Sequence, residues 1–300
     1  MAMNKHIVVV GSLNMDLVAH APRHPQAGET ILGGDFATFP GGKGANQAVA
    51  AARLGANVKM IGRVGADSFG DALLQTLARD GVDRTHVRRD PESPTGVALI
   101  VVSADGQNTI VVAGGANAKL TPEDVSAAES AFEGSAVLLL QLESPLPAVE
   151  RAIELAKEHG AKVILNPAPA QMLEAALLAQ VDYLIPNQTE LALLAGIGSV
   201  ESAANRLRAI GVRNVIVTLG GEGVFSVNDE GETRLAAHRV SVVDTTAAGD
   251  AFVGGFAVAL AEGRTFREAL AWGSAAGALA VTRAGAQPSL PVRGEVENLL

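Results

Sequence analysis

The chain has no cysteine. Disulfides, thiolate metal sites and cysteine nucleophiles are thereby excluded, and a reducing compartment fits. Aromatic residues make up only 3% of the chain and charged residues 18%. Basic charge is short as well: 23 Lys and Arg face 32 Asp and Glu, a net charge of -9. That balance argues against nucleic acid or an anionic membrane surface as the main partner. Long apolar runs are missing too. The start, Met1-Ala2-Met3-Asn4-Lys5-His6, leads into only four apolar residues before Gly11. This is too short for a signal-peptide core, and no uninterrupted apolar span reaches membrane length. A cytoplasmic protein is therefore expected. Asn187-Gln188-Thr189 matches a glycosylation sequon, which without secretion is a coincidence. The six histidines are scattered, with no metal-ligand spacing.

What is present is a large apolar fraction, 48%, rich in Ala, Val, Leu and Gly. Such a composition suits a mostly parallel sheet with helices on both faces. Three hundred residues are long for one domain but within reach of a single α/β layer structure with an insertion. Strands are expected at Ile7–Val10, Val58–Ile61, Val137–Leu140, Val163–Leu165, Tyr183–Ile185 and Val215–Leu219. Helices are expected at Ser68–Arg79, from Thr121 onward, at about Pro147–His159, at Val200–Ile210 and at Phe266 to about Val281. Two stretches break this alternation. From Leu17 to Pro40 there is no helical period, only short β-type runs flanked by Gly28 and by Gly33-Gly34. Thr95 to Val112, with a turn around Asp105-Gly106-Gln107, has the signature of a hairpin. The two excursions, at about 17–40 and 95–113, suggest a small separate sheet able to act as a lid.

The stretch with the most chemistry in it is Val243-Asp244-Thr245-Thr246-Ala247-Ala248-Gly249-Asp250. Ser241-Val242-Val243 before it reads as a short strand, and Ala251 to Leu260 after it as a helix apolar on every side. Small residues between the two leave the first N–H groups of that helix pointing into open space. A helix start of this kind is an anion site, through unpaired donors and the positive end of the helix dipole. Asp250 would repel an anion there unless its task is to take a proton from a hydroxyl attacking a bound phosphate. The plainer reading is a helix-capping Asp.

Near the other end, Gly41-Gly42-Lys43-Gly44-Ala45-Asn46-Gln47 opens a helix that stops at Gly55. Its glycines admit a ligand to the backbone, and Lys43 and Asn46 can donate to hydroxyls. It is not a P-loop: Ala37 and Thr38 stand where the upstream glycine is needed, and Gly44 replaces Ser or Thr. Asn14 and Asp16, just past the first strand, fall where a first crossover would begin and where open α/β sheets bind ligands, though a polar turn would look the same. Glu143 follows a strand end likewise and reads either as a sugar-hydroxyl acceptor or as an exposed loop carboxylate. Asn187 and Glu190 read as a helix cap and its capping-box partner, and Thr218-Leu219-Gly220-Gly221-Glu222-Gly223 as a tight turn after a strand. Trp272, the only tryptophan, reads as packing rather than base stacking.

Taken together, the early glycine-rich motif and the late Asp244 to Asp250 motif resemble the two signatures of the ribokinase-like carbohydrate kinases. The resemblance runs from Asn14-Met15-Asp16 to Gly285-Ala286-Gln287-Pro288-Ser289. It implies a doubly wound α/β domain, a β lid over the sugar, and ATP-dependent phosphorylation of a sugar hydroxyl, ribose being the sugar expected. By the same resemblance Asn14, Asp16, Gly42, Lys43, Asn46 and Glu143 hold the sugar. Asp250 is the general base, and Ala247, Ala248 and Gly249 form the anion hole. Asn187 sits near the ATP phosphates, Glu190 near Mg2+, and the turn Thr218 to Gly223 lies around the nucleotide. Ser274 stands where the family often has an asparagine near the adenine, which puts that contact in doubt. Asp244 and Thr246, with Ala280, Arg283, Gly285 and Ser289, would hold a monovalent cation, K+. Edges and apolar faces of an exposed lid invite pairing into a homodimer.

Overall fold

The computed structural model describes residues 5–300; residues 1–4, which begin the stretch weighed above as a leader, lie outside it. In the first half of the chain the strands are β1 (His6–Val10), β2 (Asn14–Ala21), β3 (Phe36–Gly41), β4 (Val58–Gly65), β5 (Asp83–Asp90), β6 (Gly96–Ser103) and β7 (Asn108–Ala113). They are followed by β8 (Ser135–Leu140), β9 (Lys162–Leu165), β10 (Tyr183–Leu184), β11 (Asn214–Thr218), β12 (Val224–Asn228) and β13 (Gly231–Leu235). The helices are α1 (Lys43–Arg53), α2 (Ser68–Arg79), α3 (Pro122–Ala127), α4 (Leu146–Glu158) and α5 (Ala175–Leu178). Then come α6 (Gln188–Ala195), α7 (Val200–Ala209), α8 (Ala248–Ala261), α9 (Phe266–Ala280) and α10 (Arg293–Leu299).

Nine strands form the main sheet in the order β13-β12-β11-β10-β9-β8-β1-β4-β5. Pairing is parallel from β11 to β5, and β12 alone runs against the rest, pairing antiparallel with both β11 and β13. The central strands are buried on both sides, as parallel strands under helices must be. Ile7 and Val9 of β1 turn into a core shared with α1, α8 and α9, while Val8 and Val10 turn into a second core with α3, α4 and α7. The apolar composition thus becomes a three-layer α/β fold. Among the described residues no helix is long and apolar enough to cross a membrane.

The helix α8 is apolar all round because it is covered all round: every residue from Asp250 to Ala259 is buried. Glycines set its distance from its neighbours. A Cβ on Gly254 would lie 2.6 Å from Ala50 of α1, and one on Gly255 would lie 2.9 Å from the carbonyl of Trp272 in α9. Trp272 is buried at the back of this pair with the guanidinium groups of Arg264 and Arg293 over its ring, a packing role.

The two excursions form a second, four-stranded sheet in the order β3-β2-β6-β7, the sheet proposed as a lid. Its strands begin earlier than the sequence suggests. Asn14 and Asp16 lie in β2 itself and do not open a crossover helix, because β2 pairs in parallel with β6 from Asn14 onward. The β-type run between Gly28 and Gly33 is no strand: residues 22–35 are irregular and Leu32 is 91% exposed. With no partner strand, that loop is tied instead by Arg23 donating to Glu29. Ser241–Val243 is no strand either. Val242 and Val243 are exposed, and the N–H groups of Val243 and Asp244 donate to the carbonyl of Val281 at the end of α9. A strand needs a neighbour with free ladder groups, and none lies beside this segment. Gly220 to Glu222 form a single 3-10 turn joining antiparallel β11 and β12, so geometrically Thr218 to Gly223 is a strand-to-strand turn.

Candidate active site

The end of β1 runs over Gly11 and Ser12 into β2, and α1 starts two residues from the end of β3's pairing with β2. This brings the early motif against the first residues of the lid. Gly42 has φ 87, and a Cβ there would lie 2.6 Å from the backbone N of Asn14. Only glycine allows that approach. Gly41 lies under the Asp16 carboxylate, 2.4 Å from where its Cβ would be.

Glu143, just past β8, reaches the same place. Its carboxylate accepts from the Ser12 hydroxyl, from the Lys43 N–H at 3.1 Å and from Asn14 Nδ2 at 3.4 Å. Asn14 is oriented from behind by Asn117, whose Nδ2 donates to Asn14 Oδ1 at 2.7 Å. Asn14, Asp16, Gly42, Lys43, Asn46 and Glu143 therefore converge from β2, α1 and the β8 end. Burial pushes the Asp16 carboxyl up to about 7, with the charges of Glu143 and Asp250 adding to it. Burial works against the charge of Lys43, but Asp250, Glu143, Glu190 and Asp16 outweigh it and its pKa is raised.

Asp250 stands in the first turn of α8, 6% exposed. Its Oδ2 accepts from Asn46 Nδ2 at 2.9 Å and its Oδ1 from Gln47 Nε2 at 3.0 Å. So it does not cap its own helix; its oxygens are taken by α1. Burial raises its pKa, and Lys43, Asn46 and Gln47 act against that rise. The residue ahead of the helix, Ala247, is held at φ 59 with no side-chain cap. A non-glycine residue in this region costs about 1–2 kcal/mol. The strained turn leaves the N–H groups of Gly249 and Asp250 without a protein acceptor among the described residues. A Cβ on Gly249 would meet nothing within 4 Å, so the helix start is open. These are the donors of an anion site.

A cavity of about 190 Å³ lies in front of this turn. One wall carries Lys43, Thr245, Ala247, Gly249 and Asp250; the other carries Asn166, Asn187, Glu190 and Thr218. Asn187 and Glu190 form the expected capping box of α6, Asn187 N donating to Glu190 Oε2 at 2.8 Å and Glu190 N to Asn187 Oδ1 at 2.9 Å. Glu190 is buried, which raises its pKa against the donation from Asn187 and the charge of Lys43. The backbone of Asn187 pairs with Thr218, which lines the cavity, whereas Leu219 to Gly223, the rest of the expected nucleotide turn, are not among its lining residues. Ser274, likewise, is half-buried on α9 and does not line this cavity.

Behind the anion turn, Asp244 accepts from Thr246 N at 2.9 Å and Thr246 Oγ1 at 2.7 Å, and from Gly285 N at 2.8 Å. These donors hold its carboxyl below the usual range against the effect of burial. Ala280, Gly285 and Ser289 belong to the segment so tied. The Arg283 side chain turns away and pairs with Glu295. Among the described residues no three His, Asp or Glu side chains come close enough to hold a metal ion by themselves.

Several site residues escape the sequence reading. Asn166 and Gln141 follow β9 and β8, the same position past a strand end that singles out Glu143. Gln47 sits inside the early motif, but its bond to Asp250 joins residues 203 apart. Ser12, Asn117 and Thr245 carry no pattern of their own.

The family model of the pfkB family carbohydrate kinases matches residues 4–293. The chain is 44% identical over 304 residues to a ribokinase of Haemophilus influenzae, covering 99% of both chains. It is 39% identical over 291 residues to a deoxyribokinase of Salmonella typhi, covering 95% of both. The structure of Arabidopsis thaliana ribokinase complexed with ribose and ATP superposes with a TM-score of 0.90 at 35% identity, covering 99% of both chains. A family match over nearly the whole length, on a chain whose open α8 start faces a pocket of polar side chains, leads to one statement: the chain belongs to the pfkB family of carbohydrate kinases.

Proposed function

We propose that the chain phosphorylates D-ribose to ribose 5-phosphate with ATP, and that Asp250 is the general base. The observation that carries the reading is the position of Asp250. It stands between the free N–H groups at the start of α8 and the pocket of Asn14, Asp16, Lys43, Asn46 and Glu143. Asn14, Asp16, Gly42, Lys43, Asn46 and Glu143 bind the sugar hydroxyls. Asp250 accepts the proton of the attacking hydroxyl, and the free N–H groups of Gly249 and Asp250 receive the charge of the transferring phosphoryl, whereas the Ala248 N–H expected beside them is taken by the Thr245 carbonyl at 3.3 Å. A buried carboxylate with a raised pKa is a stronger proton acceptor than a free one. Asn187 and Thr218, with the turn that runs on to Gly223, serve the nucleotide side, and Ser274, which lies outside the cavity, is given no part in it.

Glu190 and the cavity polar groups fit Mg2+, which keeps much of its water shell and needs few protein oxygens. When bound, it neutralises charge on the phosphates. Asp244, Thr246 and the carbonyls of Ala280, Arg283, Gly285 and Ser289 fit K+: one carboxylate among neutral dipoles suits a large, weakly hydrated ion. Asp244 ties Thr246 to Gly285, so this site bears on the backbone of the anion turn without touching a substrate. The lid exposes Leu99, Ile110, Val111 and Val112, and β7 is exposed along its whole length as an edge strand. A homodimer through the lid covers this surface. A cytoplasmic location agrees with the absence of cysteine.

The test is a sugar panel read by ADP release. Ribose should give the largest kcat/KM, ahead of deoxyribose, fructose and nucleosides. Deoxyribose is the rival with support, from the deoxyribokinase relative, and a higher kcat/KM on it would replace the proposed substrate.

A further inference from the structure

Gln47 is fully buried on α1, and its amide is fixed from both ends. Its Oε1 accepts from Gln141 Nε2 at 2.6 Å. Its Nε2 donates to Asp250 Oδ1 at 3.0 Å and to Asn166 Oδ1 at 3.2 Å. A primary amide has two hydrogens at one end and an acceptor at the other. Here two acceptors face the donor end and one donor faces the acceptor end. Turned over, the amide would set its oxygen against the Asp250 carboxylate and its nitrogen against that of Gln141. Asn166 is fixed in turn, its Nδ2 donating to the Ile185 carbonyl at 2.9 Å. Gln141 and Asn166 lie just past β8 and β9, so the amides are anchored on the ends of neighbouring strands in the sheet. Asn46 holds the other oxygen of Asp250 and keeps its own Oδ1 buried with no partner, free for a ligand. The two amides thus differ: Asn46 has an open bond, and Gln47 has none.

We propose that Gln47 is a positioning residue for Asp250: the relay from Gln141 through Gln47 fixes the plane of the carboxylate and gives its ionised form a permanent donor. This rests on the reading of Asp250 as the base. Gln47 does not itself line the cavity; its shortest bond toward the site is the one to Asp250, and the other goes to Asn166, which does line it. The charged groups that act on Asp250, or on which it acts, are Lys43 of α1, Glu143 past β8, Asp16 of β2 and Glu190 of α6. Gln47 bonds none of these four.

The experiment measures the single-turnover rate of ADP formation with ribose from about two pH units below neutrality to about two above it. Gln47→Met keeps the length of the side chain and removes the donor. Its rate at neutral pH should fall about tenfold, and the acidic limb of its pH profile should move up by about one unit. KM for ribose and for ATP should stay within about threefold. Gln141→Met leaves Asp250 untouched and frees the Gln47 amide, so the limb should move the same way by less. It also carries the test if Gln47→Met does not fold. Folded variants whose profiles superpose on the parent's would overturn the relay. Asp250→Asn distinguishes the two levels: if it keeps normal turnover, the base assignment fails; if it is inactive while both amide variants keep the parent's profile, only the relay fails.

Discussion

The two halves of the site are built in different ways. The proposed phosphate side is a contiguous backbone device: Thr245 to Asp250, a left-handed Ala247 and the free N–H groups of Gly249 and Asp250. The sugar side has no such unit. Its side chains come from β2, α1 and the β8 end, and Glu143 lies 100 residues from its partner Lys43. Backbone donors bind any phosphoryl group alike, whereas placed side chains choose among hydroxyl patterns. On that reading phosphoryl binding and substrate choice are held by separate materials, and mutations can separate them.

The largest effect should come where the halves meet. Asp250→Asn keeps the shape and removes the proton acceptor, so turnover should fall by roughly 10²–10⁴-fold. ATP binding, followed by calorimetry, should persist. Normal turnover in the folded variant would remove Asp250 from the chemistry.

Asp16 tests the sugar side alone. Asp16→Asn should lower kcat/KM for ribose by about 1.5–3 kcal/mol, or roughly 10- to 150-fold, with ATP affinity unchanged. The same variant makes an opposite prediction about stability. The folded Asp16 carboxyl is raised to about 7 from an ordinary 3.8, chiefly by burial. Its contribution to stability is therefore full below about pH 4 and is lost as pH rises through about 7. Below about pH 4 the sugar-free parent and Asp16→Asn should melt nearly together. At pH 8 the variant should melt higher. A constant gap at both pH values would show that Asp16 stays ionised in the fold.

Asp244 tests the phosphate side alone. With Mg2+ and ATP supplied as Tris salts, potassium chloride should raise activity several-fold beyond sodium chloride at equal ionic strength. Asp244→Ala should lose that response because Thr246 and Gly285 are no longer joined. Equal activity in Tris salts and in potassium would leave Asp244 a purely structural tie.

The smallest effect on chemistry is expected at the lid. Val111→Lys puts a charge on an exposed edge strand far from Asp250 in sequence and sheet. Sedimentation should shift from dimer to monomer, with kcat within about threefold. A parent that sediments as a monomer at micromolar concentration would end the dimer proposal.

The same contrast explains what could be read in advance. Helices with their own caps, such as α2, α3 and α9, fall within a residue or two of expectation because Asp67, Thr121 and Thr265 cap them locally. The anion turn is legible for the same reason: small residues in a row, then a buried helix. Where apolar residues lack a neighbour, pattern misleads. Ser241–Val243 has the letters of a strand and no partner to pair with, while β5, with the polar sequence DRTHVRRD, is a strand because β4 lies beside it. Asp16 and Glu143 could be named from their places after β1 and β8, but not their mutual effect on ionisation.

By itself the sequence determined the alternation of strands and helices, the open start of α8, and the glycine-rich opening of α1. These depend on residues near one another in the chain. The tertiary structure alone decided that Asp250 faces α1 rather than its own helix, with Asn46 and Gln47 on its two oxygens across more than 200 residues. It also decided that Asn166 and Gln141 stand behind them. A side-chain hydrogen bond has a reach of about 3 Å, and which distant residues come within that reach is set by how the sheet is ordered, not by any spacing along the chain.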